Sequence, residues 1–271
     1  MTKKLLLANI KGGVGKSTSV ISICSAMSKR GLKVLAVDWD LQGSLTEGLK
    51  IPSGVTKTIA DAIREDLTFE QIRCKTYDPN IDLIPNDVSL AETLYSLQGR
   101  ARQFHLFKKL FESPALSEYD YLVADTAPHL DAQLQSALGY VDHYIIPAFA
   151  EKQAFAGIGF LTDIATQVKQ DLNPNLNLLG TFFCNLKKTS ANQRAIEREV
   201  TVAQQSLDLH IFETRIPHSD AIGNSYSKGI SIIDHQPNLA VSQAYVNLTD
   251  EILTAIANHK HEPRTFEEKS F

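Results

Sequence analysis

Residues 11–18 read Lys-Gly-Gly-Val-Gly-Lys-Ser-Thr and follow an apolar run at 5–10. Glycines permit the tight wrap by which backbone N–H groups surround an anionic polyphosphate. A helix predicted to begin near Ser17 adds the positive end of its dipole. A glycine-rich turn without ligand is the alternative, and Gly-Lys-Ser at a strand-to-helix junction disfavours it. The predicted nucleotide-binding residues of this loop are Gly12, Gly13, Val14, Gly15, Lys16, Ser17 and Thr18.

The polar side chains of the loop have distinct expected roles. Lys16 is placed to reach the β- and γ-phosphates, and the Ser17 hydroxyl to ligate Mg²⁺. Thr18 is expected to donate to the α-phosphate. The loop lacks the leading glycine of G-x-x-x-x-G-K-[ST], because Ile10 stands at that position and is followed by a second lysine, Lys11.

Carboxylates follow two further predicted strands. Asp38 closes a strand at 33–38, and Asp40 lies two residues later, so both are expected to face the same side. Asp125 closes an apolar strand at 121–125, where it is suited to hold a Mg²⁺-bound water. A single strand-end aspartate is an ordinary turn residue. Ligands bind beyond the carboxyl ends of parallel strands, however, so three segments are predicted to meet in one crevice.

Short apolar runs alternate with segments of helical periodicity, a pattern typical of βαβ units. Strands are predicted at 4–9, 33–38, 81–84, 121–125, 144–147, 178–185 and 211–216. Helices are predicted at 18–30, 89–97, 101–112, 131–138, 155–170, 191–205 and 240–257. The predicted fold class is therefore α/β: a single doubly wound, mostly parallel sheet flanked by helices, in one domain over residues 1–258 with a polar tail at 259–271.

Composition restricts the class of protein. The net charge of −4 gives no global signal for nucleic acid, so any DNA-binding surface must be a local patch. Cys24, Cys74 and Cys184 are widely spaced, which argues against a disulfide framework and against an iron–sulfur site within one chain. Cys24 and Cys184 are expected to be buried. No apolar stretch approaches the roughly 20 residues that span a bilayer, and a cytoplasmic protein is expected.

The loop sequence KGGVGKST resembles the deviant Walker A motif of the ParA/MinD family of ATPases, and the chain is similar to the ParA/Soj-type partition ATPases within it. This resemblance implies a P-loop NTPase fold that binds ATP and Mg²⁺. It also implies that Lys11 reaches across a dimer interface to the partner's ATP, where its charge offsets charge developing on the phosphate. Lys11 and Lys16 are thus two of the predicted catalytic residues.

The same resemblance gives roles to the carboxylates. The segment from Asp38 to Ser44 is similar to the family's D-x-D-P-Q-G-N, with Leu41 in place of proline and Ser44 in place of asparagine. By resemblance, Asp40 orients or activates the attacking water and is the third catalytic residue. The implied metal residues are Ser17, Asp38 and Asp125.

The resemblance continues more diffusely through the C-terminal half. In relatives, the segment around the proline that corresponds to Pro217 helps to hold the adenine, so Pro217 is a candidate for adenine binding. Asn185, at a strand end, is a second candidate, because its amide can pair with the adenine edge. His218 replaces an arginine that relatives use in DNA binding. Other basic residues are candidates for contacts with DNA phosphates, and solvated charges on helix faces are the open alternative. They are Lys187, Lys188, Arg194, Arg198, Arg215 and Lys228.

The resemblance implies a partition-type ATPase. ATP would drive a sandwich homodimer that binds DNA nonspecifically, and a ParB-like or adaptor protein would stimulate hydrolysis to segregate or position a plasmid, chromosome or protein assembly. Such a protein would be associated with the nucleoid. The alternative is a MinD-like membrane-cycling ATPase, although Pro263 and three acids make 259–271 a poor amphipathic helix. An iron–sulfur carrier of the same superfamily would need suitably placed cysteines.

Overall fold

The computed structural model describes residues 1–51, 57–149, 152–186, 202 and 209–259. Its strands form one sheet in the order β3-β4-β2-β5-β1-β6-β7. Every neighbouring pair is parallel except β3 with β4. The strands are β1 (Lys3–Leu7), β2 (Val34–Trp39), β3 (Cys74–Lys75), β4 (Ile81–Ile84), β5 (Tyr121–Thr126), β6 (His143–Phe149) and β7 (Asn177–Cys184).

Helices connect the strands and cover the sheet. They are α1 (Lys16–Ser28), α2 (Ser44–Gly48), α3 (Ile59–Glu65), α4 (Phe69–Ile72), α5 (Ser89–Ser96), α6 (Leu106–Phe111), α7 (Ala132–Leu138), α8 (Lys152–Asp171), α9 (Ala221–Lys228), α10 (Ile232–His235) and α11 (Ala240–Asn258). Short 3-10 helices lie at Ala101–His105 and at Pro114–Glu118.

The two faces of the sheet carry separate apolar layers because successive strand residues point to opposite sides. In β1, Leu5 and Leu7 pack with residues of α1 and α11. Leu6 packs instead with residues of α3, α6, α7 and α8. Helices therefore cover both faces of the parallel sheet, and the doubly wound fold predicted from the sequence is confirmed.

The predicted strand at 211–216 is wrong as a regular strand. Residues at its start and just beyond its end form isolated parallel bridges, of Ile211 with Thr181 in β7 and of Pro217 with Leu186, two residues after β7. Between these bridges, the backbone N–H groups of Glu213 and Thr214 donate to the Glu251 carboxylate of α11, at 2.7 and 2.9 Å. The Thr214 N–H is on the same side of the backbone as the Phe212 N–H, which donates to Thr181 of β7, so its bond to Glu251 interrupts the pairing.

Other differences concern ends and short elements. The helix predicted at 101–112 is a 3-10 helix followed by α6, and α1 begins at Lys16 rather than at residue 18. The sequence did not predict β3, α2, α3, α4, α9 or α10. Of these, β3, α2, α4 and α10 have five residues or fewer, too few to show a clear period. The helix predicted at 191–205 lies outside the described residues except for position 202, as do residues 260–271 of the tail. One domain over 1–258 stays a prediction.

Cys24 and Cys184 are buried as expected, and Cys74 is partly exposed. Across the part of the chain that the structure describes, no helix is both long and apolar enough to cross a membrane.

Candidate functional site

The predicted site residues meet at the carboxyl edge of the sheet. β2, β5 and β1 are adjacent strands, and each ends at that edge beside one of the predicted segments. β1 leads into the loop at 11–15 and then into α1, β2 ends at the segment carrying Asp38 and Asp40, and β5 carries Asp125 near its end. The topology thus brings together the three segments that the sequence singled out.

The loop between β1 and α1 has the backbone of a tight anion cradle. Gly13 and Gly15 have φ angles of 73° and 83°, in the left-handed region where a side chain is strained. At the mouth, the Lys11 N–H donates to Asn9 Oδ1 at 2.9 Å. At the far side, the Cys184 thiol donates to the Val14 carbonyl at 2.8 Å. These contacts hold the loop from both sides, so the backbone N–H groups do not have to be ordered by ligand alone.

Lys16 opens α1 and is almost buried, at 7% exposure. Burial lowers its pKa, whereas the negative charges of Asp125 and Asp40 raise it. The ammonium group therefore lies within the field of both carboxylates. A partly desolvated lysine at this place interacts strongly with the phosphates of a nucleotide.

Asp38 and Asp125 are direct partners in the register of β2 and β5. Both are fully buried. Burial raises the pKa of Asp38 to about 7, against hydrogen bonds from Thr46 that lower it. Burial and the charge of Asp38 raise the pKa of Asp125 to about 8. Two adjacent buried carboxylates are costly to ionise together, and a cation between them removes that cost.

The Asp125 carboxylate fits a cation. Neither oxygen has a hydrogen-bond partner of ordinary geometry among the described residues. The Ser17 hydroxyl is near enough to oppose the rise in the pKa of Asp125, although burial and Asp38 outweigh it. No three His, Cys, Asp or Glu side chains in the described ranges form a metal cage. Mg²⁺ needs no such cage, because beside phosphates it uses one or two carboxylates together with water. Ser17, Asp38 and Asp125 together therefore fit a Mg²⁺ site.

Asp38 is held by residues that the sequence did not single out. The Thr46 hydroxyl and backbone N–H both donate to Asp38 Oδ2, at 2.6 and 2.7 Å. The Asn86 N–H in turn donates to Thr46 Oγ1 at 2.9 Å. The sequence shows Thr46 eight residues after Asp38, but not that its side chain turns back toward Asp38. That direction depends on the tight turn at Gly43, where φ is 66°.

Asp40 lies just beyond β2 and is 7% exposed. Its Oδ1 accepts the Gln42 N–H at 3.0 Å. The Asn86 side chain donates to the Asp40 carbonyl at 2.8 Å. These bonds fix both the backbone and the carboxylate of Asp40 beside Lys16.

A cavity of about 330 Å³ adjoins the phosphate loop. Its lining includes Asn185, Pro217 and Tyr245, together with Gly13, Gly15 and Thr18 of the loop region. Asn185 has a φ of 60°, and its Oδ1 lies 2.6 Å from Nδ1 of His218. His218 Nε2 lies 3.2 Å from the Asp220 carboxylate. Asn185 and Pro217 thus stand where a base attached to phosphates in the loop would lie, and their adenine contacts stay a prediction.

Lys11 lies at the mouth of the loop with its ammonium over the Phe149 ring, 5.4 Å from the ring centre. Phe149 also lines the base cavity. A cation held over an aromatic face gains modest attraction. The described contacts thus hold Lys11 beside its own nucleotide pocket, and its role across an interface stays a prediction.

The candidate DNA contacts are mostly outside the described residues, namely Lys187, Lys188, Arg194 and Arg198. Arg215 is half-buried, and its guanidinium donates to the carbonyls of Phe212 and Glu213. Lys228 is exposed near the end of α9, with its ammonium 2.8 Å from His235 Nε2. DNA binding by these residues stays a prediction.

A family model and several similar proteins indicate the same family for this chain. A family model described as an AAA domain (AAA_31) matches residues 2–178. An uncharacterized protein of Mycobacterium tuberculosis is 30% identical over 254 residues, which are 93% of this chain and 78% of that protein. The chromosome-partitioning ATPase Soj of Treponema pallidum is 28% identical over 93% of this chain and 98% of its own. The chromosome partitioning protein ParA of Caulobacter vibrioides is 27% identical, over 92% and 93%.

Solved structures agree in fold. Cobyrinic acid a,c-diamide synthase from Mycobacterium smegmatis, with bound ADP and magnesium, superposes with a TM-score of 0.81 at 26% identity, covering 98% of this chain and 100% of that one. A putative plasmid partition protein from Borrelia burgdorferi, bound to AMPPNP, gives a TM-score of 0.75 at 26% identity, over 94% and 99%. Both similar proteins were crystallised with an adenine nucleotide.

Proposed function

This chain belongs to the AAA-domain family, as a ParA/Soj-type ATPase that uses ATP and Mg²⁺, and we propose that it works as a partition-type switch. In the proposed cycle, ATP binding pairs two chains into a sandwich dimer. The dimer binds DNA nonspecifically, and a ParB-like or adaptor protein stimulates hydrolysis and release. The cargo is a plasmid, a chromosome or a protein assembly, and the protein acts on the nucleoid in the cytoplasm.

The observation that supports this proposal best is the register pairing of Asp38 with Asp125 beside the phosphate loop. Two buried, adjacent carboxylates next to Lys16 and Ser17 form a site suited to a metal-bound polyphosphate and unsuited to an apolar ligand. A purely structural ion pair would not leave both Asp125 oxygens without ordinary hydrogen-bond partners among the described residues.

Each residue of the site has a role in phosphoryl transfer to water. Mg²⁺, when bound, neutralises charge on the phosphate oxygens. Lys16 places its ammonium near the same oxygens. Asp40, fixed by the Gln42 N–H, orients the attacking water. Lys11 of the other chain supplies positive charge as negative charge develops on the transferred group.

The proposed dimer would bring a second lysine to the phosphates. Lys16 is nearly buried beside the carboxylates, whereas Lys11 is held over Phe149 at the mouth of the loop. A second chain across the phosphates would bring a further cation to the side that faces away from Lys16. This arrangement makes hydrolysis depend on assembly, which is what a switch that releases DNA requires.

Co-sedimentation tests the proposal against the membrane-cycling alternative. Purified protein is mixed with ATP and Mg²⁺, then with plasmid DNA or with liposomes that contain anionic lipid. We expect the protein to sediment with DNA only, and only when ATP is present. Sedimentation with liposomes and not with DNA would contradict the proposal and favour the MinD-like function.

A further inference from the structure

Trp39 is the sole tryptophan of the chain and stands between Asp38 and Asp40. It ends β2 and is completely buried. Asp38 faces the metal site beside β5, and Asp40 lies just beyond the strand end. The backbone of Trp39 is therefore the only covalent link between the two carboxylates, and its orientation sets the direction in which the chain leaves the strand.

Gln133 of α7 forms two hydrogen bonds with this residue. The Trp39 indole N–H donates to the Gln133 carbonyl at 2.9 Å. The Gln133 side-chain amide donates to the Trp39 carbonyl at 2.6 Å. Gln133 is itself 5% exposed. Two reciprocal bonds between buried groups define one relative orientation, because rotation about either bond breaks the other.

Aromatic packing secures the same indole from another side. The Phe107 ring meets Trp39 edge to face, with the centroids 4.9 Å apart and the planes at 80°. The Phe107 N–H donates to Ser136 Oγ of α7 at 2.9 Å. The indole is thus fixed against both α6 and α7. Movement of α7 relative to β2 would break these hydrogen bonds.

α7 follows the loop that leaves the sheet after Asp125. Gln133 lies in the segment that follows Asp125, and it bonds to Trp39, which lies between Asp38 and Asp40. Neither Trp39 nor Gln133 lines the base cavity. Their contacts join the two carboxylate-bearing strand ends outside that cavity.

We propose that Trp39 and Gln133 are a positioning pair for ATP hydrolysis, which holds Asp40 in line with the site formed by Asp38 and Asp125. The inference rests on the proposed ATPase function and adds to it two residues that lie outside the base cavity. Outer-shell groups that orient catalytic ligands typically contribute about 10- to 100-fold to activity. A pair that served only for packing would instead contribute to stability without a selective effect on turnover.

The test compares three variants. Gln133→Met removes the amide donor to Trp39 but keeps an unbranched side chain of similar length. Trp39→Phe removes the indole N–H but keeps a ring against Phe107. Gln135→Met is the matched control, because it makes the same change on the same helix, and both glutamines line one open groove beside α5. For each, kcat and KM are measured with Mg-ATP, and nucleotide affinity with the fluorescent analogue mant-ATP.

We expect kcat to fall about tenfold in Gln133→Met and in Trp39→Phe, with mant-ATP affinity within about twofold of wild type. The double variant should lose little more than the worse single variant, because the two bonds act as a unit. Gln135→Met should keep the wild-type rate. A Gln133→Met rate within about twofold of the control would overturn the proposal, and so would a parallel loss of mant-ATP affinity.

Trp39 fluorescence gives a readout that does not depend on turnover. In nucleotide-free protein, acrylamide should quench the emission more strongly in Gln133→Met than in wild type or Gln135→Met, because the indole is less firmly held. Equal quenching in all three proteins would show that the Gln133 side chain does not hold the Trp39 indole in place. If Gln133→Met does not fold, the kcat of Trp39→Phe decides. If wild-type protein hydrolyses no ATP, both the proposed function and the positioning role are wrong. If the wild type hydrolyses ATP and the variants do so at the same rate, only the positioning role is wrong.

Discussion

Thr46 donates twice to the same oxygen of Asp38, from its hydroxyl at 2.6 Å and from its backbone N–H at 2.7 Å. Both donors favour the ionised carboxylate, and they oppose the burial that raises the pKa of Asp38 to about 7. Thr46 itself is oriented by the Asn86 N–H. The state of Asp38 at neutral pH thus depends on a residue of α2.

Replacing Thr46 by valine tests that dependence. Thr46→Val keeps the shape and the backbone N–H but removes the hydroxyl donor, so the pKa of Asp38 should rise further. We expect the Mg²⁺ concentration needed for half-maximal ATP hydrolysis at pH 7 to rise about tenfold. Thr46→Ser, which keeps the hydroxyl, is the control and should stay near wild type. Equal Mg²⁺ requirements for the valine and serine variants would refute the role of the hydroxyl.

The pair Asp38 and Asp125 predicts an unusual dependence of stability on pH in metal-free protein. The pKa of Asp125 is raised from its ordinary value of 3.8 to about 8 by burial and by Asp38. The folded state therefore binds the proton more tightly than the unfolded state does. Stability from this source is complete below pH 3.8, falls as pH rises, and is lost once pH passes about 8.

Urea unfolding in EDTA, from pH 5 to pH 9, measures this effect by comparison with Asp125→Asn. We expect the wild type to lose stability relative to the variant as pH rises, with the difference levelling above about pH 8. Mg-ATP, added with Mg²⁺ in excess of EDTA, should raise the stability of the wild type at pH 8 more than that of the variant, because the neutral amide is a poorer Mg²⁺ ligand. A stability difference that does not change with pH would show that Asp125 is already ionised in the free protein.

A buried ion pair at the opposite edge of the sheet predicts a change in stability without a change in chemistry. Lys4 Nζ lies 3.1 Å from Asp142 Oδ1, and the Lys4 N–H donates to Oδ2 at 2.9 Å. Lys4→Met leaves a buried carboxylate without its ammonium, and breaking such a pair costs about 3–5 kcal/mol. We expect that loss in urea unfolding, with unchanged ATP turnover per folded molecule.

Two variants serve as controls for this loss. Lys3→Met changes the partly exposed neighbour and should cost little. Lys4→Met combined with Asp142→Leu removes both charges and should recover much of the stability. If Lys4→Met lowers the free energy of unfolding by less than about 1 kcal/mol, the Lys4–Asp142 pair contributes little to stability.

The phosphate loop, the two aspartates at the end of β2 and just beyond it, and the aspartate of β5 were predictable because each is encoded locally. A glycine pattern, or an apolar run that ends in an acid, marks its own place on a strand end, and parallel topology then brings the strand ends together. The doubly wound sheet followed from the same alternation of runs. The sheet departed from the prediction at β3, which was not expected, and at 211–216, where Glu251 of α11 accepts hydrogen bonds from two backbone N–H groups.

The supporting residues were not predictable because their partners are distant in sequence. Asn86 donates to Thr46 across 40 positions, and Trp39 and Gln133 are 94 positions apart. No local period or motif carries such pairs. Their directions depend on short elements such as α2, of five residues, whose pattern is too brief to distinguish from a turn.

Mixing two inactive variants tests the central claim, that catalysis is completed across a dimer by Lys11. Lys11→Ala and Asp40→Ala proteins are each expected to bind mant-ATP and to hydrolyse almost no ATP. In a mixed dimer, the Lys11→Ala chain keeps Asp40 and receives Lys11 from its partner, so one complete site is restored. An equimolar mixture should therefore recover about a quarter of the wild-type rate, because half of the dimers are mixed and each has one working site. If Lys11 served its own chain's nucleotide, no mixed site would be complete, and a mixture as inactive as its components would contradict the account.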